Sequence, residues 1–199
     1  MRSQADRQRS VYTTLGASNH TDMGREQLDY YATDPLAAEL LLEKESFSSI
    51  IWECAVGGGH LAEVFKSHGY GVICTDIIDR GYKATHIIDF LKFYPSTPLG
   101  VDIVTNPPYK YALQFVLTAL ESVKDGQKVA MFMRLQFLEG KKRKALFEKY
   151  PPKVVYVARG RIKCAKNGNF DKYPHSAIAY AWFVWEKGYT GKTIIDWIN

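Results

Sequence analysis

Short apolar runs alternate with amphipathic stretches through most of this chain, and that rhythm constrains the fold more than any other feature. Ser49–Ala55 (SIIWECA) reads as a buried strand, and His60–His68 (HLAEVFKSH) as a helix that Gly69 ends. Gly71–Asp76 (GVICTD) is a second strand, Thr85–Ile88 a short apolar piece, and Val101–Thr105 (VDIVT) a further strand. Pro107 and Pro108 stop that strand because proline donates nothing to a ladder. Leu113, Val116, Leu117, Leu120 and Val123 form a helical stripe across Tyr111–Lys124. Lys128–Phe132 is then a strand, Lys141–Tyr150 a helix, and Val154–Val157 and Ala177–Trp185 two consecutive strands. Strand–helix–strand alternation predicts an α/β fold, a mostly parallel sheet with helices on both faces. The last two strands break the rhythm and predict a final antiparallel pair at the sheet edge.

Upstream of this core, Asp34 and Pro35 suit the start of a helix reaching about Lys44, with LAAELLLE supplying strong helix formers. Residues 1–34 are polar and turn-prone and read as an extended arm, leaving 35–199 as a single domain. A chain that is 46% apolar and 14% aromatic can bury a core, so global disorder is excluded. No apolar run reaches the ~20 residues of a membrane-spanning helix. The polar start MRSQADRQRS has no apolar h-region, so a cytoplasmic protein without a secretory leader is expected. Cys54, Cys74 and Cys164 fall in no C-x-x-C or Cys/His cluster, so free thiols and no metal site are expected.

Two strand exits carry the chemistry. Glu53-Cys54-Ala55-Val56-Gly57-Gly58-Gly59-His60 joins the first strand to its helix, where glycines permit a tight turn and free helix N–H groups face a ligand. Asp76 ends the next strand, placed to accept both ribose hydroxyl protons of a nucleoside. Three glycines exceed what a plain βα corner needs. The run Gly57–Ala62 still permits a dinucleotide reading. Glu53, four residues before the first glycine, tips the choice toward S-adenosylmethionine, because an acid there helps hold a cationic amino-acid end.

The second exit is Asn106-Pro107-Pro108-Tyr109. Its prolines remove two backbone donors and leave bare carbonyl acceptors. The Asn106 side-chain carbonyl and the Pro107 carbonyl can clamp one NH₂ group from two sides. Drawing both protons out of plane pushes a delocalised nitrogen toward sp³ and turns its lone pair outward. Tyr109 offers an aromatic face for a planar substrate, and the catalytic logic is orientation with electrostatic stabilisation.

The net charge is +5, and the positive excess sits in the C-terminal half. Lys153, Arg159, Arg161, Lys163, Lys166 and Lys172 face one acid, Asp171, within residues 151–175. Arg159-x-Arg161-x-Lys163 puts cations on one face of an extended segment, spaced to track phosphates, with Lys110 beside the tetrapeptide. A solvated edge is the competing reading of the same charges.

With these segments the chain resembles the S-adenosylmethionine-dependent amino-methyltransferases, and within them the small phage- and prophage-type DNA adenine N6-methyltransferases. LGASNH, DYYATDPLAAELLLE, ECAVGGGHL, TNPPY, FLEGKKRKALFEKYPPKVVYV and AIAYAWFVWEKG carry the resemblance, from about Thr14 onward. It implies a Rossmann-like class I fold with a seven-stranded sheet. It also implies that Glu53, Ala55, Gly57 and Gly59 line the methionine part of the cofactor, that Asp76 and Ile77 border the ribose, and that Asp89 and Phe90 meet the adenine. Tyr31 and Thr33 match an upstream motif that touches the amino-acid end, and Asn106 to Tyr109 the catalytic tetrapeptide, with Asn106 also at the cofactor. Asp34 intervenes before Pro35, so a plain helix cap remains the other reading of that motif. Cys54 replaces the usual proline, and no separate target recognition domain of the size restriction-type enzymes carry is expected. The implied substrate is DNA. RNA adenine or a protein glutamine amide is the alternative, because the tetrapeptide suits any planar NH₂, and a non-catalytic partner subunit is a further one.

Overall fold

The computed structural model describes residues 30–199 apart from 84, 167, 169 and 171–177. The elements run β1 (Tyr31–Thr33), α1 (Leu36–Leu42), β2 (Ile50–Glu53), α2 (His60–Ser67), β3 (Gly71–Asp76), β4 (Thr85–Ile87) and β5 (Asp102–Thr105). They continue with α3 (Ala112–Ser122), β6 (Lys128–Arg134), α4 (Lys144–Lys149), β7 (Val154–Ala158), β8 (Cys164–Lys166), β9 (Tyr180–Glu186) and β10 (Ile194–Ile198).

Period-two patterning builds the two-faced core. Along β6, Ala130 and Phe132 point to one side, and Val129, Met131 and Met133 to the other. Along β9, Trp182 and Val184 join the first side, and Ala181, Phe183 and Trp185 the second. Helices α1 and α2 cover the first face through Ala37, Leu41, Leu61 and Phe65. Helices α3 and α4 cover the second through Phe115, Val116, Leu120 and Leu146. Both indole N–H groups find carbonyls: Trp182 donates to Ala37 at 2.7 Å and Trp185 to Tyr150 at 2.9 Å.

The main sheet has eight strands in the order β10-β7-β9-β6-β5-β2-β3-β4. This corrects the expected seven. The piece at Thr85 pairs as edge strand β4, and β10, which was not anticipated, adds in parallel to β7 at the far edge. The two strands expected to pair antiparallel, β7 and β9, do so; β9 is also antiparallel to β6 and lies between the two, so the pair is interior and β10 takes the edge. The buried aromatic run of β9 explains the placement, since the six apolar residues Tyr180 to Trp185 fall on both faces and need cover on both sides.

Separately, β1 pairs antiparallel with β8, Tyr31 opposite Lys166 and Thr33 opposite Cys164. The end of the expected arm and part of the expected 160–175 loop thus form one ribbon. Ala32 and Ala165 are buried within it. The Asp34 carboxylate accepts the Leu36 N–H at 3.0 Å, so the cap reading of this residue holds locally. Among the described residues no helix is long and apolar enough to cross a membrane, and no His/Cys/Asp/Glu group could hold a metal ion.

Candidate active site

β2 sits between β3 and β5, all three parallel, so the chain leaves β2 in one direction and returns to it from the other. Such a reversal opens a crevice at the carboxyl ends of the strands. Ile51 pairs with Asp102 and Trp52 with Ile103, so Glu53 and the Asn106 turn emerge side by side at that end. Asp102 marks the opposite end, where its carboxylate takes the backbone N–H groups of Ser48 and Lys128 and serves the fold.

The glycine turn is wound tightly against the strands. Gly57 and Gly59 have φ of +57° and +83°, a region that costs a side-chain-bearing residue dearly. Gly59 caps α2, and the Gly57 N–H donates to the Asp76 carboxylate at 2.9 Å. Arg80 Nε lies 3.8 Å from the other Asp76 oxygen. Two rings press on the turn. A Cβ on Gly57 would meet the Tyr30 ring at 2.2 Å, and one on Gly59 the Tyr82 ring at 2.4 Å. The Tyr30 hydroxyl accepts the Gly58 N–H at 2.8 Å and lies 3.2 Å from His60 Nδ1, while Arg80 stacks on its ring.

Glu53 is buried at 2% exposure, and its Oε2 has no hydrogen-bond partner. Burial pushes its carboxyl well above the usual range and the charge of Asp76 adds to that, opposed by a backbone hydrogen bond from Ala62. A lone buried carboxyl of this kind is stabilised by an arriving cation. Cys54 beside it is buried, and its thiol is raised well above normal by burial, which makes it inert as a nucleophile.

Asn106 is the best-defined side chain of the site. Its Nδ2 donates to Thr33 Oγ1 at 2.7 Å and to the Tyr31 carbonyl at 3.2 Å. A carbonyl can only accept, so the NH₂ end must face the ribbon. The Oδ1 is buried without a partner. Among the described residues no donor reaches the Pro107 carbonyl, whereas the Pro108 carbonyl takes the Tyr111 N–H. Two open acceptors therefore stand at adjacent positions.

Tyr109 differs from expectation in its surroundings. Its ring lies 6.1 Å from Tyr31 and 6.0 Å from Tyr180, with the Arg134 guanidinium 4.8 Å over it. Its hydroxyl points at Cys164 Sγ, 3.5 Å away, and burial raises it well above the ordinary phenol. The expected stacking face is thus packed by protein in this state. Phe90 is likewise held edge-on to Trp52 at 5.2 Å and near Phe115, within the core. Asp89 caps a short turn through the Leu91 N–H and pairs with Lys92, and Ile77 is exposed beside Asp76. Ala55 is half-buried next to the glycine turn.

Of the expected basic strip, Arg159 and Arg161 are exposed, Ile162 between Arg161 and Lys163 is buried, and Lys163 is half-buried. Gly160 is exposed as well, so the alternation is confined to Arg161, Ile162 and Lys163, and no strand forms there. The Lys163 carbonyl takes the Asp34 N–H, which ties the strip to the ribbon. Lys110 is exposed over the Tyr111 ring. Lys172 and the Lys166 side chain, like Tyr173, His175 and the LGASNH segment, lie outside the described residues.

Three contributors escaped the sequence reading. Tyr30, rather than Tyr31, reaches the glycine turn; the doubled aromatic before Ala32 was the available signal. Arg134 ends a strand whose five interior residues are apolar, which is a second signal. Cys164 meets Tyr109 only through the ribbon, and nothing local announces it.

No family model matches the chain, and no curated protein matches its sequence. Solved structures do match in fold. The chain is similar to the M protein of the type I restriction enzyme EcoKI, with a TM-score of 0.57 at 15% identity over 84% of this chain and 46% of that one. It is similar to an O-methyltransferase predicted in Agrobacterium tumefaciens, with a TM-score of 0.57 at 12% identity over 83% and 86%. A class I S-adenosylmethionine-dependent methyltransferase candidate from Listeria monocytogenes gives 0.56 at 12% over 96% and 72%. The fold is therefore the Rossmann-like one of class I methyltransferases, with eight strands in the main sheet.

Proposed function

We propose that this chain is an S-adenosylmethionine-dependent methyltransferase that methylates the N6 amino group of adenine in DNA. The observation that carries this reading is Asn106, whose amide is clamped on its NH₂ side and keeps a buried oxygen without a partner. The residues fit the cofactor. Glu53 holds a buried carboxyl oxygen with no partner for a cationic group, and the turn at Gly57 and Gly59 carries no side chain at the crevice. S-adenosylmethionine, when bound, supplies an electrophilic methyl group on a sulfonium.

Asn106 Oδ1 and the Pro107 carbonyl accept the two protons of the substrate amine, which frees the nitrogen lone pair from the ring. They then hold its surplus proton until water takes it. Low polarity around these oxygens strengthens both hydrogen bonds. Adenine reaches the clamp flipped out of its stack, and stacking on Tyr109 requires Tyr31 to move off its ring. Asp76 and Glu53 bind the ribose and amino-acid ends, which requires the Tyr30 hydroxyl and Arg80 to share or yield their contacts. Arg159, Arg161, Lys163 and Lys110 favour a polyanionic substrate over a protein amide. The restriction-enzyme neighbour supports DNA within that class. Residues 35–199 would act as one catalytic unit, completed by Tyr30 and Thr33 from the arm before them.

The test is transfer of a labelled methyl group to DNA, RNA and peptide in parallel, for the wild type and Asn106→Ala. Transfer to DNA, reduced roughly a hundredfold or more by the substitution, is expected. Equal activity of the variant would remove Asn106 from the mechanism.

A further inference from the structure

Three of the partly buried cations among the described residues have an acid beside them. Lys128 pairs with Glu45, Lys153 with Glu186 at 2.6 Å, and Arg80 with Asp76. Arg143 instead donates to the carbonyls of Gln136 and Glu139. Arg134 is different. Among the described residues no carboxylate lies within ion-pair distance of it and none of its nitrogens donates a hydrogen bond, although its Nε is fully buried. The guanidinium lies 4.8 Å over Tyr109, at the end of β6, next to the strand that runs into Asn106.

An unpaired guanidinium held in a partly buried site is electrostatically expensive unless an anion completes it. Its position is set by packing, not by charge pairing. With the guanidinium 4.8 Å over the Tyr109 ring and Nε buried without a partner, the N–H groups of the fork have no protein acceptor among the described residues and can donate to the oxygens of one anion. Lys163 directly precedes Cys164, whose sulfur lies 3.5 Å from the Tyr109 hydroxyl, so the backbone of the basic strip runs past Tyr109.

We infer that Arg134 binds the phosphodiester next to the target nucleotide and so anchors the strand while its base enters the Asn106 clamp. This rests on the nucleic-acid reading above and adds to it a specific phosphate site. Arg134 touches substrate backbone and no reacting atom, so it governs binding more than chemistry. A phosphate contact carries no sequence information and weakens with salt.

The experiment uses the full chain as wild type, Arg134→Ala, Arg134→Gln and Arg134→Lys, each checked by thermal melting. Fluorescein-labelled duplex and single-stranded DNA are titrated across a series of salt concentrations, with cofactor affinity measured by calorimetry. Arg134→Ala and Arg134→Gln should weaken DNA binding about tenfold and lower the slope of log affinity against log salt by about 0.9, the share of one phosphate. Arg134→Lys should restore the slope and part of the affinity, KM for DNA should rise far more than kcat falls, and cofactor affinity should stay unchanged. An unchanged salt slope in a folded variant overturns the assignment. So does a loss of cofactor affinity, which would place the cofactor's own carboxylate on Arg134. If the wild type itself binds cofactor but no nucleic acid, the substrate reading fails first and takes this assignment with it.

Discussion

Asn106 is oriented by what it donates, not by what it accepts. Thr33 Oγ1, 2.7 Å from its Nδ2, is the neutral partner that fixes the amide. Thr33→Val removes that acceptor with little change in volume, so the amide gains rotational freedom and kcat should fall about tenfold. Thr33→Ser should keep most of the rate, and near-equal kcat in all three proteins would show that the Tyr31 carbonyl suffices. Glu53 gives a pH prediction. Its carboxyl is raised by burial and by Asp76, so the free protein holds it protonated above the ordinary carboxylate range. For a raised acid, the stabilising contribution is complete below the unfolded pKa and is lost as pH rises through the folded one. In the proposed function the cofactor's cationic end pairs with this carboxylate, so cofactor binding should release a proton and tighten with rising pH until Glu53 ionises unaided. Calorimetry in buffers of different ionisation enthalpy measures this. In Glu53→Gln the proton release should vanish and affinity should fall, with stability near neutral pH kept. Proton release undiminished in that variant would assign it elsewhere.

At the scale of elements, the β1–β8 ribbon matters most to the site. It pairs Thr33 with Cys164 across the chain, and so brings Thr33 to Asn106, 73 residues away, and Cys164 to Tyr109, 55 residues away. Neither strand exceeds three residues, so neither has the length from which a periodic pattern can be read. β10 poses a separate question. It covers the outer edge of β7 over five paired residues, and the Asp196 carboxylate on it reaches Lys44 at 3.1 Å. That ion pair is exposed, so the strand's value lies in its ladder and in Ile198, which is buried. Removing residues 194–199 should bare the β7 edge, lower the melting temperature by several degrees and promote self-association. Light scattering with a thermal melt checks it; an unaltered monomer would mean the edge is protected some other way.

Across the whole molecule, the alternating strands and helices, the two strand exits and the basic half were legible because each is a local pattern. Period-two burial in β6 and β9 and the helical stripe of α3 follow from side-chain geometry along one segment. Strand order was not legible in the same way. β9 could pair at the edge or in the interior with the same sequence, and its place between β6 and β7 is decided by which arrangement covers both of its apolar faces. The tetrapeptide announced an acceptor pair, yet not that a threonine from the far end of the chain would hold Asn106 open, nor that Tyr109 would be packed by Tyr31, Tyr180 and Arg134. Residue types and their spacing along the chain determined the fold class and the kind of chemistry on offer. Which groups meet, which oxygens are left without donors and which cation is left without an acid were decided by the tertiary structure. The reason is physical: those contacts depend on long-range packing, whose energy belongs to pairs of segments and to no single one.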